Sequence, residues 1–387
     1  MRHNNNYRTG IIALLITATF SMQAIAAEVK PLDDAHKATA TKLIDGGVKY
    51  LLTQKDAKGG WSMEQGSNRP AITAMVLKVL LQHPDYNNST PVVKKGFAEL
   101  MTYRKSDGGF YEPTAGLPNY TTSIAIMAMV AANDPKFKPD IDKAVKFLRT
   151  QQIRPGDTTP KGGKVKKDEG VDGGVSYGKH GRPDGSNQQM WIQAMSDAGV
   201  KADDPDMKRA SAFMLRLQNR KESNKADYIQ EGPNDNGFIY ALGESKAGPW
   251  RNGRGLRSYG SLTYAGFKSM LHAGMAHDDP RVQGAFKWIQ RHWRLDSNPN
   301  LPKLQSQQGL FYYYQVFAKS LRMWGQNEIE DTKGVKHNWR HELIDALAER
   351  AAKDGSWINK SSKRWNEGNP VLATCFAMLA VQETVKK

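Results

Sequence analysis

The chain has 387 residues, a single cysteine and a formal charge of +16, with 55 Lys and Arg against 39 Asp and Glu. One thiol, Cys375, excludes an intramolecular disulfide, so stability must come from a buried apolar core, which a chain of this length can supply. The positive excess fits an acidic polysaccharide, an anionic lipid or a phosphate; nucleic acid is set aside, because no helix-turn-helix, zinc-finger or RNA-binding signature occurs.

In chain order, the first element reads as a leader. Arg2 and Arg8 precede a short apolar run from Ile11 to Phe20, and Ala24-Ile25-Ala26 offers small residues to a peptidase. The expected division is a signal peptide over 1–26 and one domain over 27–387, exported to the periplasm or the medium. No transmembrane segment is expected, because no stretch reaches the roughly 18 to 20 apolar residues a spanning helix needs.

From there the chain repeats. Lys58-Gly59-Gly60-Trp61 returns as Asp107-Gly108-Gly109-Phe110, Asp172-Gly173-Gly174-Val175, Asp235-Asn236-Gly237-Phe238 and Asp354-Gly355-Ser356-Trp357. Gln308-Gly309-Leu310-Phe311 is read as a degenerate copy that completes six units. Each motif follows an amphipathic helical pattern, predicted over 41–54, 92–104, a segment containing Ile141, Ala144, Val145 and Leu148, 206–219, 281–292 and 342–353. After the motif the sequence turns apolar nearly all round, as in Ala71 to Leu81, Ile124 to Val130 and Val371 to Ala380.

A helix with one wet face belongs outside, and a helix without one must be buried. Six alternations therefore predict an all-α fold with six outer helices around six inner ones. An open superhelix would need polar capping repeats, and neither terminal unit looks like one, so the ring is expected to close. The inner N-termini would then share one electropositive mouth, ringed by the long loops.

Six repeats with a Gly-Gly-aromatic turn resemble the prenyltransferase and squalene-cyclase repeat family, whose fold is the α/α toroid, over residues 42–382. Tyr259-Gly-Ser-Leu-Thr-Tyr264, Gly309-Leu-Phe-Tyr-Tyr-Tyr314 and Trp365-Asn-Glu-Gly-Asn-Pro370 are similar to an exported bacterial branch of it. The family's familiar catalytic signatures are missing. The pairs Asp33-Asp34, Asp203-Asp204 and Asp278-Asp279 lack the further aspartate of the cyclase Asp-x-Asp-Asp motif. Cys375 follows Ala373 where the zinc-binding branch has Asp-x-Cys, and a reactive Cys near Gln is absent. His337 and His341 have a helical metal-ligand spacing without a third ligand, so no metal is expected. No cofactor is expected either, because neither a dinucleotide fingerprint nor a phosphate-binding loop occurs.

Candidate site residues come from the mouth. Trp250, Arg251, Arg254 and Arg257 interleave cations, aromatics and glycine in one loop, a pattern suited to gripping an anion. Tyr259, Tyr264, Tyr312, Tyr313 and Trp365 supply aromatic surface, with at least one of the consecutive tyrosines turned into the core. Glu367 and Tyr259 are the candidate acid and base. The leading expectation is an exported protein that binds a hydrophobic or isoprenoid-like ligand in a central cavity, a terpenoid cyclase or prenyltransferase relative if it is an enzyme. The alternatives are a polysaccharide lyase-like enzyme and a non-catalytic binding or scaffold protein.

Overall fold

The computed structural model describes residues 32–114, 117–158, 162–178 and 181–386. The leader expected over 1–26 lies outside them. The element order is α1 (Asp34–Thr53), α2 (Arg69–Leu81), α3 (Pro91–Met101), α4 (Pro118–Ala132), α5 (Lys138–Gln151), α6 (Gly185–Asp197), α7 (Pro205–Leu215), the single turn α8 (Asp227–Gln230), α9 (Gly260–His272), α10 (Pro280–Arg291), α11 (Leu310–Trp324), β1 (Glu328–Glu330), β2 (Lys336–Asn338), α12 (Trp339–Arg350) and α13 (Pro370–Val385).

The dry helices form an inner ring, as their sequence requires. α2 packs on α4, α4 on α6, α6 on α9, α9 on α11, α11 on α13, and α13 returns to α2. Across that last seam Gln382 Nε2 donates to the Val79 carbonyl at 2.9 Å. The wet-faced helices lie outside, α3, α5, α7 and α10 each against the inner helix before it, α12 between α11 and α13, and α1 against α13. The chain is an α/α toroid. Not every inner helix is wholly apolar: Gln188, Gln189 and Gln193 of α6 and Lys268 of α9 are buried. Among the described residues, no helix is long and apolar enough to cross a membrane.

The repeated turn works through a buried hydroxyl. Trp61, Phe110, Phe238 and Trp357 are fully buried. Their backbone N–H groups donate to the hydroxyls of Thr73, Thr122, Thr263 and Thr374 at 2.9 to 3.0 Å, one turn inside the next inner helix. In the third unit Gln188 Oε1 accepts from Val175 N at 2.9 Å instead. Each indole removes about 150–250 Å² of ring from water, a gross gain of roughly 4–6 kcal/mol, and its N–H is not wasted: Trp357 Nε1 donates to the Leu347 carbonyl at 2.9 Å. The first glycine has a positional reason. Gly108 has φ 90°, and a Cβ there would lie 2.6 Å from the Lys143 carbonyl oxygen of α5.

Two details correct the sequence reading. Gly309, in the left-handed region, is the N-cap of α11, so Leu310 and Phe311 already belong to the inner helix and form no outer-to-inner turn. Between α11 and α12 the chain makes a two-stranded antiparallel hairpin that pairs Ile329 with His337. His337 therefore sits on a strand and shares no helix face with His341. It bonds Glu342 Oε1 at 2.8 Å and faces Asp331.

Candidate functional site

The inner helices begin at one end of the ring, and each exposes backbone N–H groups that need partners. Most of them obtain a partner from the loop of the following unit. Asn119 N of α4 donates to the Tyr177 carbonyl at 3.0 Å, Gly185 N of α6 to the Tyr240 carbonyl at 2.8 Å, and Gly260 N of α9 to the Pro299 carbonyl at 2.8 Å. Asn298 Oδ1 adds a bond from Ser261 N at 3.0 Å. For α11 the acceptor is a side chain: Tyr312 N donates to Glu367 Oε1 at 2.8 Å. This relay fixes the loops over the mouth and, with them, the side chains they carry.

A cavity of about 290 Å³ results, lined by Tyr120, Tyr177, Tyr240, Tyr259 and Tyr312, by Met63, Ala71, Ile72, Met75, Leu117, Leu262, Leu372, Phe376 and Trp365, and by the polar Asn68, Ser186, Ser261, Asn366 and Glu367. Its size is at the lower edge of the ~300–1,000 Å³ typical of ligand pockets. The lining follows the repeat. Met63, Tyr177 and Tyr240 each stand two residues after the turn residue of their unit, and Ala71, Tyr120, Leu262, Tyr312 and Leu372 are each the third residue of an inner helix. Tyr177 and Trp365, exposed by 43 % and 39 %, form part of the rim. Trp365 has φ 55° and lies against Gly309, where a Cβ would meet its ring at 2.8 Å.

The walls are electrostatically quiet. Burial raises the pKa of Tyr120, Tyr259 and Tyr312, so these phenols stay protonated. Among the described residues the Tyr259 hydroxyl makes no hydrogen bond with the protein, while that of Tyr312 accepts from Gln189 Nε2 at 3.2 Å. Arg182 and Lys246 stack on the Tyr240 ring, with Lys246 Nζ 4.2 Å from its centre, and both cations pair with Glu244. Glu367 is buried, which pushes its pKa up to about 7 against the N–H groups of Tyr312 and Asn359 that favour its charged form. Behind the tyrosines, Asp184 caps α6 through Ser186 N at 2.9 Å and Asn187 N at 3.0 Å, and burial raises its pKa.

Behind the cavity, the ring interior below Tyr312 is polar. Gln189, bonded to Tyr312 above, accepts from Lys268 Nζ below, and Lys268 also donates to Gln193 Oε1 at 2.6 Å. Gln193 reaches Asp197 at 3.4 Å, and Asp197 lies 4.0 Å from Lys78 Nζ. Burial, with repulsion from Lys319, lowers Lys268 to about 7; burial lowers Lys78 to about 8. Among the described residues, these contacts link α6, α9 and α2 from beneath the mouth toward the C-terminal ends of the inner helices.

Of the residues singled out in the sequence, Tyr259, Tyr312, Trp365 and Glu367 meet in this cavity. The others do not. Tyr264 and Tyr313 are fully buried against one another and Phe317, and the Tyr313 hydroxyl donates to the Arg294 carbonyl at 2.8 Å. Arg251 is exposed beside the Trp250 ring, 5.2 Å from its centre, and Arg254 is exposed. Arg257 donates to the Asn300 carbonyl at 3.0 Å on a separate surface. The loop's glycines carry these arginines across the outside, and only its last residue, Tyr259, turns in. Sequence reasoning missed Tyr120, Tyr177 and Tyr240, although aligning the units on the turn motif places the last two in register with Met63.

The sequence matches no protein-family model and no curated protein. The fold is similar to solved structures at low identity. The type II terpene cyclase MstE from Scytonema aligns with TM-score 0.54 and 13 % identity over 89 % of this chain and 98 % of that one. A variant of it was solved with geranylgeranyl dihydroxybenzoate as substrate. An α-1,6-mannanase from a Salegentibacter species aligns with TM-score 0.55 and 9 % identity over 90 % and 98 %. A protein from Actinoplanes gives 0.53 and 15 % over 90 % and 100 %. The mannanase is also known as a variant inactivated by changing two consecutive aspartates to asparagine. In this chain Asp33, Asp204 and Asp279, each from an aspartate pair, cap the outer helices α1, α7 and α10.

Proposed function

We propose that the protein is an exported binding toroid that holds a small apolar or amphipathic molecule, isoprenoid-like in character, in the cavity at the mouth of its inner ring. The observation that carries this reading is the lining: Met, Leu, Ile and Phe side chains and five protonated tyrosines, with neither lysine nor arginine among the described residues that form it. Such a wall rewards the removal of apolar surface from water and offers phenol hydroxyls to a single polar end. The terpene cyclase neighbour, with its geranylgeranyl substrate, is a precedent for that ligand class on this fold. The reading assigns binding and no reaction, because the acid in the lining, Glu367, already accepts from Tyr312 and Asn359.

The test is a titration of the full chain with farnesol, followed by the fluorescence of tryptophan, since Trp365 stands on the rim. Saturable binding is expected, at least tenfold weaker in Ala71→Trp, which fills the cavity from the first turn of α2. The second reading, a carbohydrate site, rests on the exposed rings of Tyr177 and Trp365, which suit stacking on a sugar. Binding of α-1,6-mannotriose with no response to farnesol would replace the first reading by the second.

A further inference from the structure

The first and last outer helices, α1 and α12, meet where the ring closes. At that seam the ring of His36, in the first turn of α1, stacks on the ring of His341, in the first turn of α12, with centroids 3.8 Å apart and planes 6° from parallel. Asp33 lies against both. Its Oδ1 accepts from His36 N at 2.8 Å as the helix cap, while Oδ2 lies 2.7 Å from His36 Nδ1 and 3.6 Å from His341 Nε2. The three donor atoms lie within 4.8 Å of one another.

We propose that Asp33, His36 and His341 bind a divalent first-row transition cation, zinc above all, which fastens the start of α1 to α12. Two nearly parallel imidazoles repel one another if both are protonated, and a cation bound between their nitrogens replaces that stack by a shared ligand pair. A tetrahedral zinc ion with bonds of about 2.0–2.1 Å sets its ligand atoms ~3.4 Å apart, so the Asp33–His36 pair at 2.7 Å must open, the Asp33–His341 pair at 3.6 Å already nearly fits, and the two rings must turn out of their stack so that both in-plane lone pairs meet at one point. Two imidazoles and one carboxylate select zinc, nickel or copper over magnesium or calcium. Binding releases the proton shared between His36 Nδ1 and Asp33 to solvent, and water fills the fourth position. The remaining nitrogen of His36 faces Asp345 Oδ2 at 3.6 Å, the carboxylate partner that commonly orients a metal-bound imidazole. His337 takes no part, since it pairs with Glu342 on the far side of the hairpin.

The experiment uses tag-free full-chain protein stripped with a chelator and titrated calorimetrically with zinc chloride, with magnesium chloride as control. One zinc per chain and a raised thermal midpoint are expected, with no response to magnesium. His36→Gln and His341→Gln should each weaken zinc at least tenfold while their circular dichroism stays unchanged, and His337→Gln should bind zinc as the parent does. Equal zinc binding by the parent and a His36→Gln/His341→Gln double variant overturns the proposal, as does loss of binding in His337→Gln alone. A parent that shows neither binding nor a thermal response to zinc also overturns it.

Discussion

The two ends of the inner ring are made by the same helices and end up opposite in character. At the mouth, long loops reach over the helix N-termini and satisfy their N–H groups with carbonyls and the Glu367 carboxylate, which leaves a hollow lined by phenols. At the other end the connections are mostly short and the helix C-termini present partial negative charge. There Lys78, Lys268, Lys319, Lys386 and Arg322 gather with Asp197 and Glu383. The difference follows helix polarity: exposed N–H groups at one end are met by loop carbonyls and a carboxylate, and the C-termini at the other by a cluster of cations.

The largest expected effect breaks the filled end. Glu383 pairs with Arg322 at 2.5 Å and with Lys386, and it is buried. Burial alone would raise its pKa, but Lys319, Lys386 and Arg322 together hold it down to about 2. Glu383→Gln removes the buried carboxylate that faces the partly exposed Arg322 and Lys386 and should cost about 3 kcal/mol in denaturant unfolding at pH 7. Because the folded value lies below that of a free glutamate, this contribution is present above about pH 4.5 and is lost as pH falls toward 2. The variant should lack that acid branch.

At the mouth the sign reverses. Glu367 is raised to about 7, so its stabilising effect is full below about pH 4.5 and disappears as pH rises through 7. Glu367→Gln should remove a slope of roughly 3 kcal/mol between pH 4.5 and 8. An unchanged slope would mean that the carboxyl does not titrate within the cap of α11. The smallest effect is expected outside both regions. Arg254→Ala should shift stability by no more than about 0.5 kcal/mol and leave farnesol titration unaltered; a clear loss of binding would bring the basic loop back into the site.

The ring was legible in the sequence because alternating wet and dry helices report their own depth. The cavity was legible only in part. Tyr259, Tyr312, Trp365 and Glu367 could be placed because they flank inner-helix starts, whereas Tyr264, one turn beyond Tyr259, points into the core instead. The arginines misled because composition marks a loop as basic without saying which way its backbone turns at Gly253 and Gly255. Lys268 was invisible for a related reason. A lysine in an otherwise apolar helix reads as an exposed position, and only the partner helix α6, with Gln189 and Gln193, makes its burial tolerable. The closing seam was hidden too, since His36 and His341 are 305 positions apart in the chain.

The chain of Gln189, Lys268, Gln193 and Asp197 along the axis has one further consequence. Those bonds tie α6 to α9 beneath Tyr312, so a guest in the proposed site would come and go by way of the mouth. A long polymer would then be gripped only at its tip, past Tyr177 and Trp365 on the rim.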